Sequence, residues 1–211
     1  MSSEVTRIGR LPERAVEDPE EIYKILDEGF VCDAAYVVDD RPVVIPTLYA
    51  RDGVRLLIHG SKVSGLIRAV ARGSKLSVAI THVDGIVVAR SGFHSSANYR
   101  SVVVHGVGRL LDGEEHARAL DFVVDALIPG RNSDIRRPTR KEYLQTAVFE
   151  LLLEQVSAKV RTGPPGDDED DLGTGVWAGV VPFAMVAGDA IPAPDLESGM
   201  ETPDYLNPYT R

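Results

Sequence analysis

Cysteine is almost absent from this sequence. Cys32 stands alone among 211 residues, so no internal disulfide can form and a reducing compartment is the simplest expectation. Aromatic residues make up only 6%, with a single tryptophan, Trp177. No apolar run approaches the roughly 18 residues that a membrane span needs. The opening MSSEVTRIGRLPER lacks the apolar stretch of a secretory signal. A cytoplasmic protein with no membrane partner is therefore expected. Basic residues are outnumbered, 23 Lys and Arg against 32 Asp and Glu, for a formal net charge of −9. A nucleic-acid binder normally presents a basic face, so nucleic acid is not an expected partner. Also missing are HExxH, a Walker A sequence, a GxSxG elbow and a GxGxxG after a strand. The five histidines, His59, His82, His94, His105 and His116, show no metal-ligand spacing, and no metal site is expected. His116, inside a helical pattern, is expected to be exposed.

What remains is an alternation of short β-branched runs. The length suits one large domain, expected over residues 1–190, followed by a proline- and acid-rich extended arm over 191–211. DPEEIYKILDEGF predicts a helix capped by Asp18, with Pro19 in its first position and Gly29 as its stop. VCDAAYVV, VVIPTLYA and VRLLIHG read as strands punctuated by Asp39-Asp40 and Asp52-Gly53. SKVSGLIRAVAR predicts a helix with Val63, Leu66, Ile67 and Val70 on one face and Gly73 at its end. KLSVAITHV and IVVAR read as two strands flanking Asp84-Gly85, and SVVVHGVGRLL as another. GEEHARALDFVVDAL and PTRKEYLQ are helical, TAVFELLLEQVSAKV reads as one long strand, and VWAGVVPFAMVAG as the last. Hairpin turns between strands, and helices that do not alternate with them, predict a mainly β (α+β) antiparallel barrel with peripheral helices.

Three stretches carry candidate chemistry. In HGSKVSG (59–65) a strand ends and a helix begins. Backbone amides, the hydroxyls of Ser61 and Ser64 and the Lys62 ammonium could meet a phosphate there; ordinary capping by Ser61 would look the same. In SGFHSSANYRS (91–101), His94, Asn98, Tyr99 and Arg100 face a ligand, a partner subunit or solvent. In SAKVRTGPPGDDEDD (157–171), Lys159 and Arg161 share one face of a strand that Gly163-Pro164-Pro165 then ends. Their counter-charge is either a ligand anion or the acids at 167–171, or they simply blunt an exposed edge.

Taken in order, VVIPTLYARDG–VRLLIHGSKVSG, FHSSANYRSVVVHGVGRL, SAKVRTGPP and VWAGVVPF resemble the flavin-binding split-barrel proteins. More narrowly they resemble the branch related to pyridoxamine 5'-phosphate oxidase that includes the nitroimidazole-reductase-like proteins. The likeness runs from Arg10 to Pro182, with NYRSV and SAKVRTGPP its most specific pieces. It implies a six-stranded antiparallel split barrel and a homodimer holding FMN in clefts between subunits. Pro46, Thr47 and Leu48 would then run along the flavin ring, and Ile58 and His59 beside the ribityl chain. Gly60, Ser61, Lys62 and Ser64 would cradle the phosphate, Arg100 and Ser101 would lie near the flavin, and Lys159, Arg161 and Trp177 would close the site. Two departures stand out. Gly65 occupies a place where the oxidases usually carry a basic residue, and the arginine-and-histidine signature that holds pyridoxal phosphate is missing after Trp177. Vitamin B6 synthesis is therefore not expected. The resemblance implies an FMN-dependent oxidoreductase acting on a small molecule, with NAD(P)H a candidate donor. Lys159, Arg161 or Arg100 would stabilise the reduced flavin, and His59 or His94 would move a proton. The alternatives are a flavin- or haem-binding module without turnover, with His59, His94 or His105 as an axial ligand, and a reductase using the deazaflavin F420.

Overall fold

The computed structural model describes residues 4–206 and 209. Residues 1–3 of the expected domain and 207, 208, 210 and 211 of the expected arm lie outside the described residues. Helix α1 (Pro19–Glu28) begins as expected: the Asp18 carboxylate accepts the amide of Glu20, and Pro19 needs no partner for its nitrogen. Strands β1 (Val31–Val38) and β2 (Arg41–Asp52) form a hairpin on Asp39-Asp40, both at positive φ, 47° and 59°. That geometry matches the twist of the flanking strands, and aspartate tolerates it better than branched residues do. β2 then turns through Gly53, at φ 58°, into β3 (Arg55–Ser61).

β2 belongs to two ladders. Its first part, to Leu48, pairs with β1; from Tyr49 to Asp52 it pairs with β3. Strand β3 pairs in turn with β7 (Thr146–Leu152), and β1 pairs with β4 (Lys75–Val88). β4 pairs with β5 (Ser96–Val107), and β5 with β8 (Gln155–Arg161). The two-residue β6 (Arg109–Leu110) borders β7, and β9 (Gly179–Pro182) takes the edge of β4 beyond β1. The result is an antiparallel sheet curled into a split barrel, as expected. β7, next to the edge strand β6, and β8, at the other edge, are joined through only Leu153 and Glu154, so the chain brings the two ends of the strand order together.

Inside the barrel Leu56, Ile58, Ile80, Val102, Val104 and Phe149 form the main core. α1 plugs one end through Ile25 and Leu26. In its last turn the carbonyls of Ile25 and Leu26 accept from His82 Nε2 at 2.9 Å and Tyr49 Oη at 2.6 Å. A second cluster, Ala50, Leu57, Leu111, Ala119, Val123 and Val148, packs α3 (Gly113–Leu127) on the opposite side of β2, β3 and β7. The short α4 (Arg140–Gln145) carries a full capping box between Thr139 and Glu142.

Several local expectations change. Helix α2 spans only Gly65–Ala71, capped by Ser64 rather than Ser61, and Val63 lies outside it, exposed. The expected single strand 146–160 is two strands, and the expected strand 176–188 shrinks to β9. Asp84-Gly85 makes no hairpin: β4 runs through it with a bulge between Val83 and Gly85. A Cβ at Gly85 would lie 2.6 Å from the Val181 carbonyl oxygen, so glycine is needed there to admit β9. His116, expected on the surface, is a buried residue of α3, beside Tyr143.

Candidate functional site

Residues directly opposed in an antiparallel ladder share a face. Following the registers across β2, β1, β4, β5 and β8 places Pro46 beside Asp33, Asp33 beside Ala79, and Ala79 beside Val103. Thr81, Ser101 and Lys159 form the next row, and Val83, Tyr99 and Arg161 the one after. Pro46, Leu48, Ser101, Lys159 and Arg161 therefore all stand on the outward face of one curved sheet. This face is apolar for a surface: Val31, Val37, Val44, Leu48 and Val83 are all exposed on it. Thr47, opposite Cys32, and Arg100, opposite His82, point to the other side.

The β2–β3 ladder ends at the pair Tyr49 and Ile58, so Leu48 and His59 stand where the two strands part. Ile58 is fully buried in the barrel core. His59 projects to the α3 side with Leu57 and Val148; its Nδ1 is buried without a partner, and burial lowers its pKa. Just beyond lies the turn Gly60–Ser64. Ser64 is committed to the cap of α2, and the Ser61 hydroxyl accepts a long bond from the Val63 amide. Lys62 forms no ion pair among the described residues. A Cβ at Gly60 would meet nothing closer than 3.6 Å, so the fold itself does not require glycine there. At Gly65 a Cβ would lie 2.6 Å from the Tyr36 hydroxyl, which explains why no basic side chain stands in that place. An unpaired ammonium, a hydroxyl and a glycine the fold does not need fit an anionic group approaching the backbone.

The three cations expected beside the flavin ring, Arg100, Lys159 and Arg161, all have internal partners. Arg100 makes paired hydrogen bonds to Asp84 and to Glu28, fastening the end of α1 to the bulge. These bonds raise the Arg100 pKa and lower those of both carboxyls. Lys159 donates to the Arg10 carbonyl at 2.9 Å, and Arg161 donates to Asn98 and to the carbonyls of Gly163 and Pro164. The acidic block does not neutralise them. Asp167 accepts from the amide and guanidinium of Arg90, and Asp168 lies 3.0 Å from His94 Nε2. Exposed Trp177 folds back against Gly179, just before β9.

Sequence reasoning missed Ser77. Its hydroxyl lies 2.8 Å from His105 Nδ1, directly across the β4–β5 ladder on the outward face. Alternation places each on a face of its own strand, and only the register of β4 with β5 sets them opposite each other. A cavity of about 400 Å³ between α3, α4 and residues 132–138 contains none of the expected site residues.

This curled antiparallel sheet, with a Gly-Ser-Lys turn at the end of its third strand, is the architecture of the split-barrel class. Residues 18–160 match the family described as pyridoxamine 5'-phosphate oxidase, and the chain belongs to that family. Two solved structures resemble nearly all of it. The FAD and haem binding protein of Mycobacterium smegmatis is 36% identical, with a TM-score of 0.90, covering 93% of this chain and 97% of that one. The flavocytochrome Anf3 of Azotobacter vinelandii is 33% identical, with a TM-score of 0.93, covering 99% and 97%. A structure described as a 5-nitroimidazole antibiotic resistance protein from Bacteroides thetaiotaomicron shares the fold at 18% identity and a TM-score of 0.58, over 69% of this chain and 86% of that one. No curated protein matches the chain.

Proposed function

We propose that this chain is a redox protein of the flavocytochrome type, binding a flavin and haem. One observation carries the reading: two proteins whose names join a flavin to haem match it end to end at 33% and 36% identity. The same likeness favours FAD over the FMN expected from sequence, and a flavin over F420. Bound, the flavin supplies hydride and single-electron chemistry and the haem one-electron chemistry; the protein supplies position, charge and exclusion of water.

In this reading Pro46 and Leu48 offer an apolar platform for the flavin ring. Ser101 and the Lys159–Arg161 pair border it with hydroxyl and positive charge. Gly60, Ser61 and Lys62 hold phosphate oxygens where β2 and β3 part, with Ser64 fixing the turn. Arg100, tied to two carboxylates, positions the sheet rather than the ligand. The exposed valines and Leu48 call for cover by a second copy of the chain. Trp177 closes the edge beside β9. No lysine, arginine or histidine occurs between Trp177 and Thr210, which speaks against pyridoxal phosphate as the substrate.

Purified protein should be coloured and show the absorption bands of a bound flavin. Denaturation should release a flavin that chromatography identifies as FAD. Protein that is colourless and takes up neither added FAD nor hemin would sink the reading.

A further inference from the structure

FMN ends in a single phosphate. FAD continues from that point through a second phosphate to ribose and adenine. A chain that holds FAD therefore needs room beyond the turn Gly60–Ser64, and the structure has a cavity there. Lys62, in the turn, also lines a cavity of about 460 Å³ between α2, β6, the start of α3 and Tyr143 of α4. That volume falls in the range of about 300–1,000 Å³ usual for small-molecule sites.

Its lining suits an adenylate group. Ile67, Ala71, Leu110 and Leu111 are apolar, and Lys62 and Arg68 are cations. Neither cation forms an ion pair among the described residues. The cavity of about 400 Å³ nearby differs in this respect, because its Arg136 and Arg137 are already paired with Glu142 and Asp121. Tyr143 gives a base a ring to stack on. Its hydroxyl donates to the Gly113 carbonyl at 2.7 Å and its ring meets that of His116 with centroids 4.4 Å apart, so it is fixed from two sides. His116 Nε2 is buried without a partner, and burial, followed by the Lys62 charge, lowers the His116 pKa. The ring is therefore neutral at neutral pH. Asp112 also lines the cavity and makes no capping bond to α3, so its carboxylate is an acceptor suited to ribose hydroxyls.

We infer that this cavity takes the adenylate half of FAD, with Lys62 shared between the two phosphates, Arg68 on the outer one and Tyr143 against the base. Arg68 is then the residue that sets FAD apart from FMN. The assignment rests on the flavin reading above and names the site that selects the dinucleotide. Its ground is continuity: Lys62 belongs both to the turn proposed for the first phosphate and to the cavity beyond it.

The test titrates FAD, FMN and hemin separately into the full chain freed of flavin, for wild type, Lys62→Ala, Arg68→Ala, Ala71→Trp and Arg72→Ala. Flavin absorbance and fluorescence and the Soret band report binding. Wild type should bind FAD more tightly than FMN, and ADP should compete with FAD. R68A should weaken FAD by about tenfold or more, the loss of a charged hydrogen bond, and leave FMN unchanged. A71W, which fills the cavity, should do the same. K62A should weaken both flavins. Arg72 ends α2 outside the cavity, so R72A should change neither. Circular dichroism establishes that each variant is folded, and Arg68→Glu replaces A71W if that variant is not. Equal losses of FAD and FMN in R68A, or no loss of either, would overturn the assignment while leaving the flavin reading standing. An A71W that loses hemin and keeps FAD would give the cavity to haem and overturn it likewise. Failure of wild type to take up either flavin would overturn both.

Discussion

Glu150 has a nearly buried carboxylate on β7, between the guanidinium groups of Arg55 and Arg109 at 2.7 and 2.6 Å. Asp52 and Glu115 complete the cluster, and Glu115 lies on α3, so the group fastens that helix to the sheet. Burial pushes the Glu150 pKa up, but the hydrogen bonds from Arg109 and Arg55 outweigh it and leave the value below the usual carboxylate range. A carboxyl lowered on folding stabilises the native state at pH above its unfolded value, about 4.3 for glutamate. That contribution fades as pH falls through the folded value. Glu150→Ala removes it and leaves two arginines without their partner, so the variant should lose about 3 kcal/mol at pH 7. Its stability should also fall less than wild type between pH 5 and 3. Urea unfolding at several pH values measures both. Arg161 makes a smaller case. Arg161→Ala leaves the Asn98 side chain without one partner and should cost about 1–2 kcal/mol, whereas Lys159→Ala, at an exposed backbone contact, should change stability by under ~0.5 kcal/mol.

At the scale of elements, the segment between β8 and β9 is held by its acids. The Asp167 side chain is only 2% exposed and takes two bonds from Arg90. Asp167→Asn keeps the shape and loses the charge, so limited proteolysis should cut residues 162–178 faster than in wild type; equal cutting would show that the latch does not hold the loop. The contrast between two dipeptides shows what sequence could and could not convey. Asp52-Gly53 and Asp39-Asp40 were legible as turns because everything they need is local. Asp84-Gly85 looks the same on paper, but its meaning depends on Val181, nearly a hundred residues away, whose carbonyl occupies the space a side chain would take. The split of residues 146–160 carries no glycine, proline or asparagine to announce it. The shared face of Lys159 and Arg161 followed from strand alternation. Their partners, the Arg10 carbonyl, Asn98 and the turn they tie, are tertiary and left no mark in spacing. The Asp18 cap was readable, whereas Ser61 and Ser64 compete within one turn and only the backbone path decides between them.

For the whole molecule, the outward sheet face is the feature to test. A surface of alternating valines and Leu48, next to the residues proposed for the flavin, should be covered by a second copy of the chain. Val44→Lys with Leu48→Lys should convert a dimer into a monomer in light scattering coupled to gel filtration and should lower flavin content at least severalfold. A variant that stays dimeric and fully flavin-loaded would move the interface elsewhere. The family and the split barrel were legible because hairpin spacing and strand-end motifs recur along the chain. The pairing of Ser77 with His105 was not, since it appears only when two long strands are laid in register.

The bulge in β4 has a consequence for how this chain can change. Before it, even-numbered residues such as Ile80 face the interior; after it, odd-numbered Val87 does, while Ile86 faces out. Deleting the extra residue there would leave a regular ladder in which Gly85 still opposes Asn98 and Val87 still faces the core, whereas deleting one residue from the regular stretch between Lys75 and Val83 would turn the side chains on one side of the cut inside out. Substitutions along this strand are a matter of degree. Its length is a matter of parity, and the bulge is the one place along it where a single residue can be lost without exchanging the two faces.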